Sequence, residues 1–186
     1  YSPLDFLHTE PRRSVVLTID DGYQSVHGIA FPVLREFGFP ATVFIYSDYI
    51  GRGGLTWKQM KEMEDSGLIT FQAHSKTHDD LTVRETEETL KEYRKRLTRE
   101  VEVPAKVLAK RMSDPVVGYA YPFGAVNRQV VDALDKHGFK LAATVKRGSN
   151  PFFAHPLLLR RTMVYRKDDL ARSASALKTF EPMPDP

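Results

Sequence analysis

The chain has 186 residues, of which 41% are hydrophobic and 27% charged, and this predicts one globular domain over residues 1–186 with one substantial core. The absence of cysteine excludes disulfides, thiolate metal sites and a cysteine nucleophile, and the net charge of +3 comes from interleaved basic and acidic residues, which predicts no nucleic-acid partner. No apolar run reaches the roughly 18 residues of a membrane span. The proline-rich residues 181–186 are predicted to form a flexible tail, and a monomer is expected.

Short apolar runs alternate with amphipathic segments along the chain, which predicts parallel β/α units. The predicted strands cover residues 14–19, 41–45, 68–73, 116–120, 141–145 and 157–162. The predicted helices cover residues 25–37, 57–66, 82 to about 101, 104 to about 112, 127–137 and 168–178. Their start signals include Thr56 and Asn127 as N-caps and a Thr82–Glu85 capping box, whereas Gly38 is a stop signal.

Each polar motif of the sequence directly follows a predicted strand. The carboxyl ends of parallel strands meet at one face of a (β/α) barrel, and that face carries the active site. The chain is well short of the roughly 250 residues typical of an eight-unit barrel. We therefore predict an α/β fold, a distorted or incomplete TIM-like barrel of about seven units with its active site at the strand carboxyl ends.

The first predicted strand ends in two adjacent carboxylates, Asp20 and Asp21, followed by Gly22. Two neighbouring carboxylates repel each other and resist burial unless a positive charge lies between them. A metal ion would supply that charge. The alternative is an Asp-Asp-Gly turn that caps the following helix.

His74 and His78 follow the third predicted strand at a spacing of i, i+4. If the backbone is helical there, the two imidazoles share one face and can hold one ion. Two histidines and one carboxylate leave positions open for water and substrate, as in catalytic rather than structural sites. The alternative is a solvent-exposed loop that caps the next helix. Together with Asp20 and Asp21, however, the pair favours a metal site.

Three motifs, in order, resemble those of the polysaccharide deacetylase family (carbohydrate esterase family 4, the NodB homology domain). Thr18-Ile-Asp-Asp-Gly22 is similar to the first motif, Thr-Phe-Asp-Asp-Gly. His74-Ser-Lys-Thr-His78 is similar to the second, His-Ser/Thr-x-x-His, and Ala120-Tyr-Pro-Phe-Gly124 to the third, Arg-x-Pro-Tyr-Gly. The resemblance covers about residues 15–164, most of the chain.

The resemblance implies an N-deacetylase that uses one divalent metal ion, most simply Zn²⁺, with Co²⁺ or Ni²⁺ as alternatives. Carried over residue by residue, Asp20 would be the general base, and Asp21, His74 and His78 would be the metal ligands. The backbone N–H of Phe123, after the proline of the third motif, would be the oxyanion donor.

Other positions depart from the family pattern. Ala120 stands where the family has an arginine that orients the base, and residues 146–151 carry no Asp-x-x-Asp-Trp motif. The histidine of the fifth motif, the family's general acid, has no clear counterpart in residues 157–162. Together these departures resemble the branch that deacetylates the poly-β-1,6-N-acetylglucosamine of biofilms. That resemblance implies an N-acetylated polysaccharide substrate and an exported protein, either periplasmic, on the cell surface or extracellular.

Arg161 is the candidate for the missing arginine. If the predicted strand 157–162 ends beside the first strand, the planar guanidinium can hold the Asp20 carboxylate bidentately. The alternative is that Arg160 and Arg161 are ordinary surface residues on an edge strand. Three functional alternatives also stay open: a deacetylase of peptidoglycan or chitin oligomers, a non-catalytic carbohydrate-binding relic of the fold, and a metal nuclease or phosphoesterase.

Overall fold

A computed structural model of the chain describes residues 15–151 and 154–176. In this part five parallel strands form one sheet in sequential order: β1 (Leu17–Ile19), β2 (Ala41–Ile45), β3 (Ile69–Ala73), β4 (Gly118–Ala120) and β5 (Leu141–Ala143). The α-helices are α1 (Phe31–Phe37), α2 (Trp57–Asp65), α3 (Leu90–Ala109), α4 (Arg128–Lys136) and α5 (Leu170–Ala176). The sheet curls into a half-barrel with helices, so the predicted fold class is confirmed.

Buried strands place the core between the sheet and its helices. All five residues of β2 are buried, which is the pattern of a parallel strand covered on both faces. Val43 and Phe71 pack with Met60 of α2 in one cluster of buried residues. Tyr119 of β4 packs in a second cluster with buried side chains of α3 and α4. Apolar burial on both faces therefore holds the strand ends, and the motifs that follow them, at one edge.

Several predicted helix ends are confirmed. Thr56 forms a capping box with Gln59 at the start of α2, and the Asn127 side chain accepts a hydrogen bond from the Val130 N–H at the start of α4. Gly38 ends α1 in a left-handed conformation with φ 65°. A single π-helical turn, Val26–Ala30, precedes α1 and was not predicted.

The predicted start of the long helix is wrong. Thr82 bonds the side chain of Asp80 in a local turn, and α3 instead begins after Thr89, which forms a capping box with Glu92. The predicted break at Pro104 is also wrong, because this proline lies inside one helix of 20 residues. Pro104 is buried on the face of α3 that packs into the core, and this packing offsets the cost of the lost helical hydrogen bond.

The sixth predicted strand does not form. Pro156–Leu158 is a 3₁₀ turn, and Leu159 makes only one parallel bridge, with Ala143 of β5. Proline lacks the N–H that a ladder needs, and the His155 side chain accepts a hydrogen bond from the Leu157 N–H, which favours a turn. The described residues thus contain five strands, whereas the sequence predicted six strands and a barrel of about seven units.

The C-terminal predictions are tested only in part. The last predicted helix, 168–178, is observed as α5, and its final two residues lie outside the described residues. The predicted tail 181–186 also lies outside them. None of the helices in the described residues combines the length and the hydropathy needed to cross a membrane.

Candidate active site

Three candidate metal ligands converge at the carboxyl ends of β1 and β3. Asp21 Oδ1 lies 3.2 Å from His74 Nε2 and 3.1 Å from His78 Nε2. One ligand atom from each residue can be chosen so that all three lie within 4.8 Å of one another. The parallel strands bring together residues that are more than fifty positions apart in the sequence.

A loop, and not a helical turn, orients the two histidines. Ser75 and His78 have positive φ values of 69° and 70°, and the segment after β3 is not helical. The His78 N–H donates to Ser75 Oγ at 2.8 Å, which closes the loop. The conditional prediction of a shared helical face is therefore wrong, although the two imidazoles do meet at Asp21.

The protonation of His74 provides a test of whether a metal fits. Its Nδ1 lies 2.7 Å from the Ala120 carbonyl oxygen, and a carbonyl can only accept, so Nδ1 carries the proton. In a neutral imidazole Nε2 then has a lone pair that faces the Asp21 carboxylate. These two groups need a positive charge between them, and two imidazoles with a carboxylate are a usual donor set for Zn²⁺. The site fits a divalent cation.

The electrostatic environment of Asp21 favours the ionised carboxylate. Contact with His74, and next with His78, lowers the pKa of Asp21 below its ordinary value, while partial burial opposes the change. The carboxyl group is consequently ionised at neutral pH, as a metal ligand must be.

A fully buried carboxylate supports the loop between the two histidines. Glu100 of α3 has a relative exposure of 0%. Its Oε2 accepts hydrogen bonds from the N–H groups of Lys76 and Thr77, at 3.0 and 2.9 Å, and from the Thr77 hydroxyl at 3.1 Å. Glu100 was not predicted, and the available signal was an acidic residue on the helix face that also carries the buried Leu97 and Val101.

Arg161 lies against Asp20, so the surface alternative for this arginine is wrong. Its two terminal nitrogens donate to the two carboxylate oxygens of Asp20, each at 2.7 Å. Nε donates to the Thr144 carbonyl at 2.9 Å, and one terminal nitrogen also donates to the Thr18 hydroxyl at 3.1 Å. The guanidinium stacks 5.7 Å from the ring centre of Phe44. Arg161 thus bridges β1, β2 and the end of β5.

The third motif forms a tight turn beside the histidines. Phe123 has a φ of 58° within the 3₁₀ turn Pro122–Gly124, and its ring centre lies 4.7 Å from that of His78. Its side chain is 64% exposed. Gly124 has a φ of 68°, and a Cβ there would lie 2.4 Å from Cγ2 of Val145. Only glycine therefore lets this turn approach the segment after β5.

The fold and the site define a β/α half-barrel protein with a candidate Asp–His–His metal centre at the carboxyl ends of its strands. The sequence model of one family, described as polysaccharide deacetylase, matches residues 8–142. The chain belongs to the polysaccharide deacetylase family.

The chain is also similar in sequence to two deacetylases that share one name. The chain is 29% identical over 144 residues to the poly-β-1,6-N-acetyl-D-glucosamine N-deacetylase of Staphylococcus epidermidis, an alignment covering 73% of this chain and 49% of the relative. It is 24% identical over 160 residues to the protein of the same name in Staphylococcus aureus MRSA252, covering 80% of this chain and 55% of the relative. The chain therefore spans about half the length of these relatives.

One solved structure agrees with the fold. The Streptococcus pyogenes deacetylase PplD, solved in complex with acetate, superposes with a TM-score of 0.81 at 24% identity, covering 94% of this chain and 75% of that one. At this identity the likeness supports the half-barrel fold and not a shared substrate.

Proposed function

We propose that this chain is a metal-dependent N-deacetylase of an exopolysaccharide, which hydrolyses the acetamido groups of N-acetylglucosamine units and releases acetate. The observation that carries the proposal is the convergence of Asp21, His74 and His78 beside the Asp20–Arg161 ion pair. The names of the staphylococcal relatives support a poly-β-1,6-N-acetylglucosamine substrate.

Asp21, His74 and His78 would hold one divalent ion, Zn²⁺ in the first instance and Co²⁺ or Ni²⁺ as alternatives. Three protein ligands leave coordination positions for water and substrate. When bound, the ion would supply Lewis acidity toward the amide carbonyl and make water acidic near neutral pH. The Ala120 carbonyl would keep Nε2 of His74 in the ligand form by holding the proton on Nδ1.

Asp20 would be the general base that accepts the proton of the attacking water. A base of this kind needs a fixed orientation. Arg161 supplies it, because its bidentate contact fixes the plane of the Asp20 carboxylate. Arg161 is thus a positioning residue. It takes the role of the family's third-motif arginine, whose position is occupied by Ala120 in this chain.

The backbone N–H of Phe123 would donate to the oxygen of the substrate carbonyl as negative charge develops there. A donor that is fixed in advance stabilises the transition state more than water does, because it needs no reorganisation. The positive φ of Phe123 and the close approach of Gly124 to Val145 support a rigid turn at this donor.

The alternatives differ in substrate or in activity. A deacetylase of peptidoglycan or chitin oligomers would use the same residues, so only the substrate distinguishes it. A non-catalytic carbohydrate-binding relic has no need to keep Asp20, Asp21, His74 and His78 together. We also propose an exported setting, because the polymeric substrate lies outside the cytoplasm.

The decisive experiment measures acetate release from β-1,6-linked N-acetylglucosamine oligomers, with chitin oligomers and peptidoglycan as comparison substrates. The Zn²⁺-loaded protein should release acetate fastest from the β-1,6-linked oligomers, and chelation should stop the reaction. Asp20→Asn should lower the rate about 10²–10⁴-fold. The exposed Asp132→Asn is the matched control and should keep the parental rate. A metal-loaded protein that releases acetate from none of these substrates would refute the proposed function.

A further inference from the structure

A row of aromatic rings crosses the candidate active site. Tyr23 contacts Tyr49 edge to face with ring centres 5.7 Å apart, and Tyr49 stacks on Tyr46 at 4.9 Å. Tyr46 lies 5.1 Å from His78, and His78 lies 4.7 Å from Phe123. These five residues, which we call the aromatic row, include one candidate metal ligand and extend from it in two directions.

The Tyr23 end of the aromatic row is exposed to solvent, but it is held in place by packing and by a backbone bridge. Tyr23 is 51% exposed, although its ring packs on Tyr49. A Cβ on Gly54 would lie 2.5 Å from Cδ1 of Tyr49, and one on Gly53 would lie 2.8 Å from Cε2. Tyr23 and Gly54 form an antiparallel bridge. The two glycines therefore let the backbone lie directly against the ring of Tyr49. The bridge from Gly54 connects that backbone to Tyr23.

Hydrogen bonds and an ion pair also connect the aromatic row to the loop that carries His74 and His78. The Ser47 N–H donates to the Ser75 carbonyl at 3.2 Å, and the Asp48 N–H donates to the Lys76 carbonyl at 3.0 Å. The Lys76 ammonium group forms an ion pair with Asp48. The turn between Tyr46 and Tyr49 is thus held at a set distance from the histidines.

The exposed ring of Tyr23 lies where a bound ligand could contact it. Tyr23 follows the candidate ligand Asp21 by two residues in the sequence. Exposed aromatic rings that are held rigid lose little conformational entropy when they bind a ligand. The apolar faces of pyranose rings pack against such rings, and the hydroxyl rims remain in water.

We propose that the exposed ring of Tyr23, held in place by Tyr49, forms a second sugar-binding subsite, which stacks on the unit next to the one that loses its acetyl group. This inference rests on the proposed function and deepens it. The substrate is consequently a polymer that occupies at least two positions, and a single N-acetylglucosamine lacks the contact that the second position supplies.

The test compares single N-acetylglucosamine with its β-1,6-linked dimer, trimer and pentamer. Tyr23→Ala should raise KM for the oligomers about five- to twentyfold, as expected for loss of one aromatic contact, with kcat affected far less. KM for the single sugar should rise much less than KM for the trimer. Tyr23→Phe keeps the ring and should recover most of the lost affinity. Phe37→Ala is the matched control, because Phe37 is 61% exposed and stacks on Phe39 at the opposite ends of the strands.

A binding measurement separates this inference from the proposed function. Titration calorimetry of the trimer into the Asp20→Asn protein, with and without Tyr23→Ala, should show the same five- to twentyfold loss. If the parent releases acetate but Tyr23→Ala changes neither KM nor Kd, the subsite is wrong and the function stands. If no acetate is released but the Kd effect appears, the function fails and the subsite stands. If Tyr23→Phe loses as much affinity as Tyr23→Ala, the hydroxyl acts and ring stacking is wrong.

Discussion

Glu100→Ala removes the buried carboxylate beneath the loop that joins the two candidate histidine ligands. The substitution leaves the N–H groups of Lys76 and Thr77 and the Thr77 hydroxyl without their acceptor. A donor left unsatisfied costs about 1–3 kcal/mol. These donors lie in a partly exposed loop, so we take the lower limit for each, and the three sum to about 3 kcal/mol.

That loss is a large fraction of the roughly 5–15 kcal/mol by which domains are usually stable. The loop also holds His74 and His78 at their observed positions, so the variant should bind Zn²⁺ about 10- to 100-fold more weakly. Urea unfolding of the metal-free protein measures the first effect. Competition with a chromophoric chelator, at a temperature where the variant stays folded, measures the second.

Glu102→Ala is the matched control on the same helix. Glu102 pairs with Lys106 on the surface of α3 at 2.6 Å, and such exposed pairs contribute little. Both readouts should therefore stay close to the parental values. If Glu100→Ala lowers stability while the folded variant binds Zn²⁺ as tightly as the parent, Glu100 only stabilises the fold and does not position the histidines.

Three further predictions concern the site and the core. His78→Ala should weaken Zn²⁺ binding at least about 100-fold because one of three ligands is lost; equal affinity in chelator competition would show that the ligand set is wrong. Arg161→Lys should lower kcat about tenfold and Arg161→Ala about 100-fold, since an ammonium group cannot hold both oxygens of the base; near-parental turnover of Arg161→Ala would refute its positioning role. Burial raises the pKa of Tyr119 and Tyr121 above that of an unfolded tyrosine, so their contribution to stability is complete below about pH 10. It should be lost above that pH by up to about 1.4 kcal/mol per pH unit for each phenol, and Tyr121→Phe should make the decline shallower in urea unfolding; an unchanged slope would contradict this account.

The sequence alone determined the order of the strands and the motifs that follow them. Apolar runs and their stop signals locate β1, β2 and β3, and parallel strands bring their carboxyl ends to one edge. The approach of Asp21 to His74 and His78 follows from that rule and needs no side-chain detail. The contact of Arg161 with Asp20 was also predictable, because a partly buried carboxylate needs a cationic partner.

Tertiary packing decided the features for which the local sequence is ambiguous. Thr82–Glu85 and Thr89–Glu92 both fit a capping box, but Tyr93 and Arg96 of α3 donate hydrogen bonds to the carbonyls of Leu81 and Val83, which favours the later start. The spacing of His74 and His78 is compatible with a helix, but hydrogen bonds from the intervening loop to Glu100 favour a different backbone. The aromatic row joins rings from four separate loops, those that follow β1, β2, β3 and β4. Each of these depends on contacts between residues distant in the chain, and their free energies appear only once the strands and helices have packed.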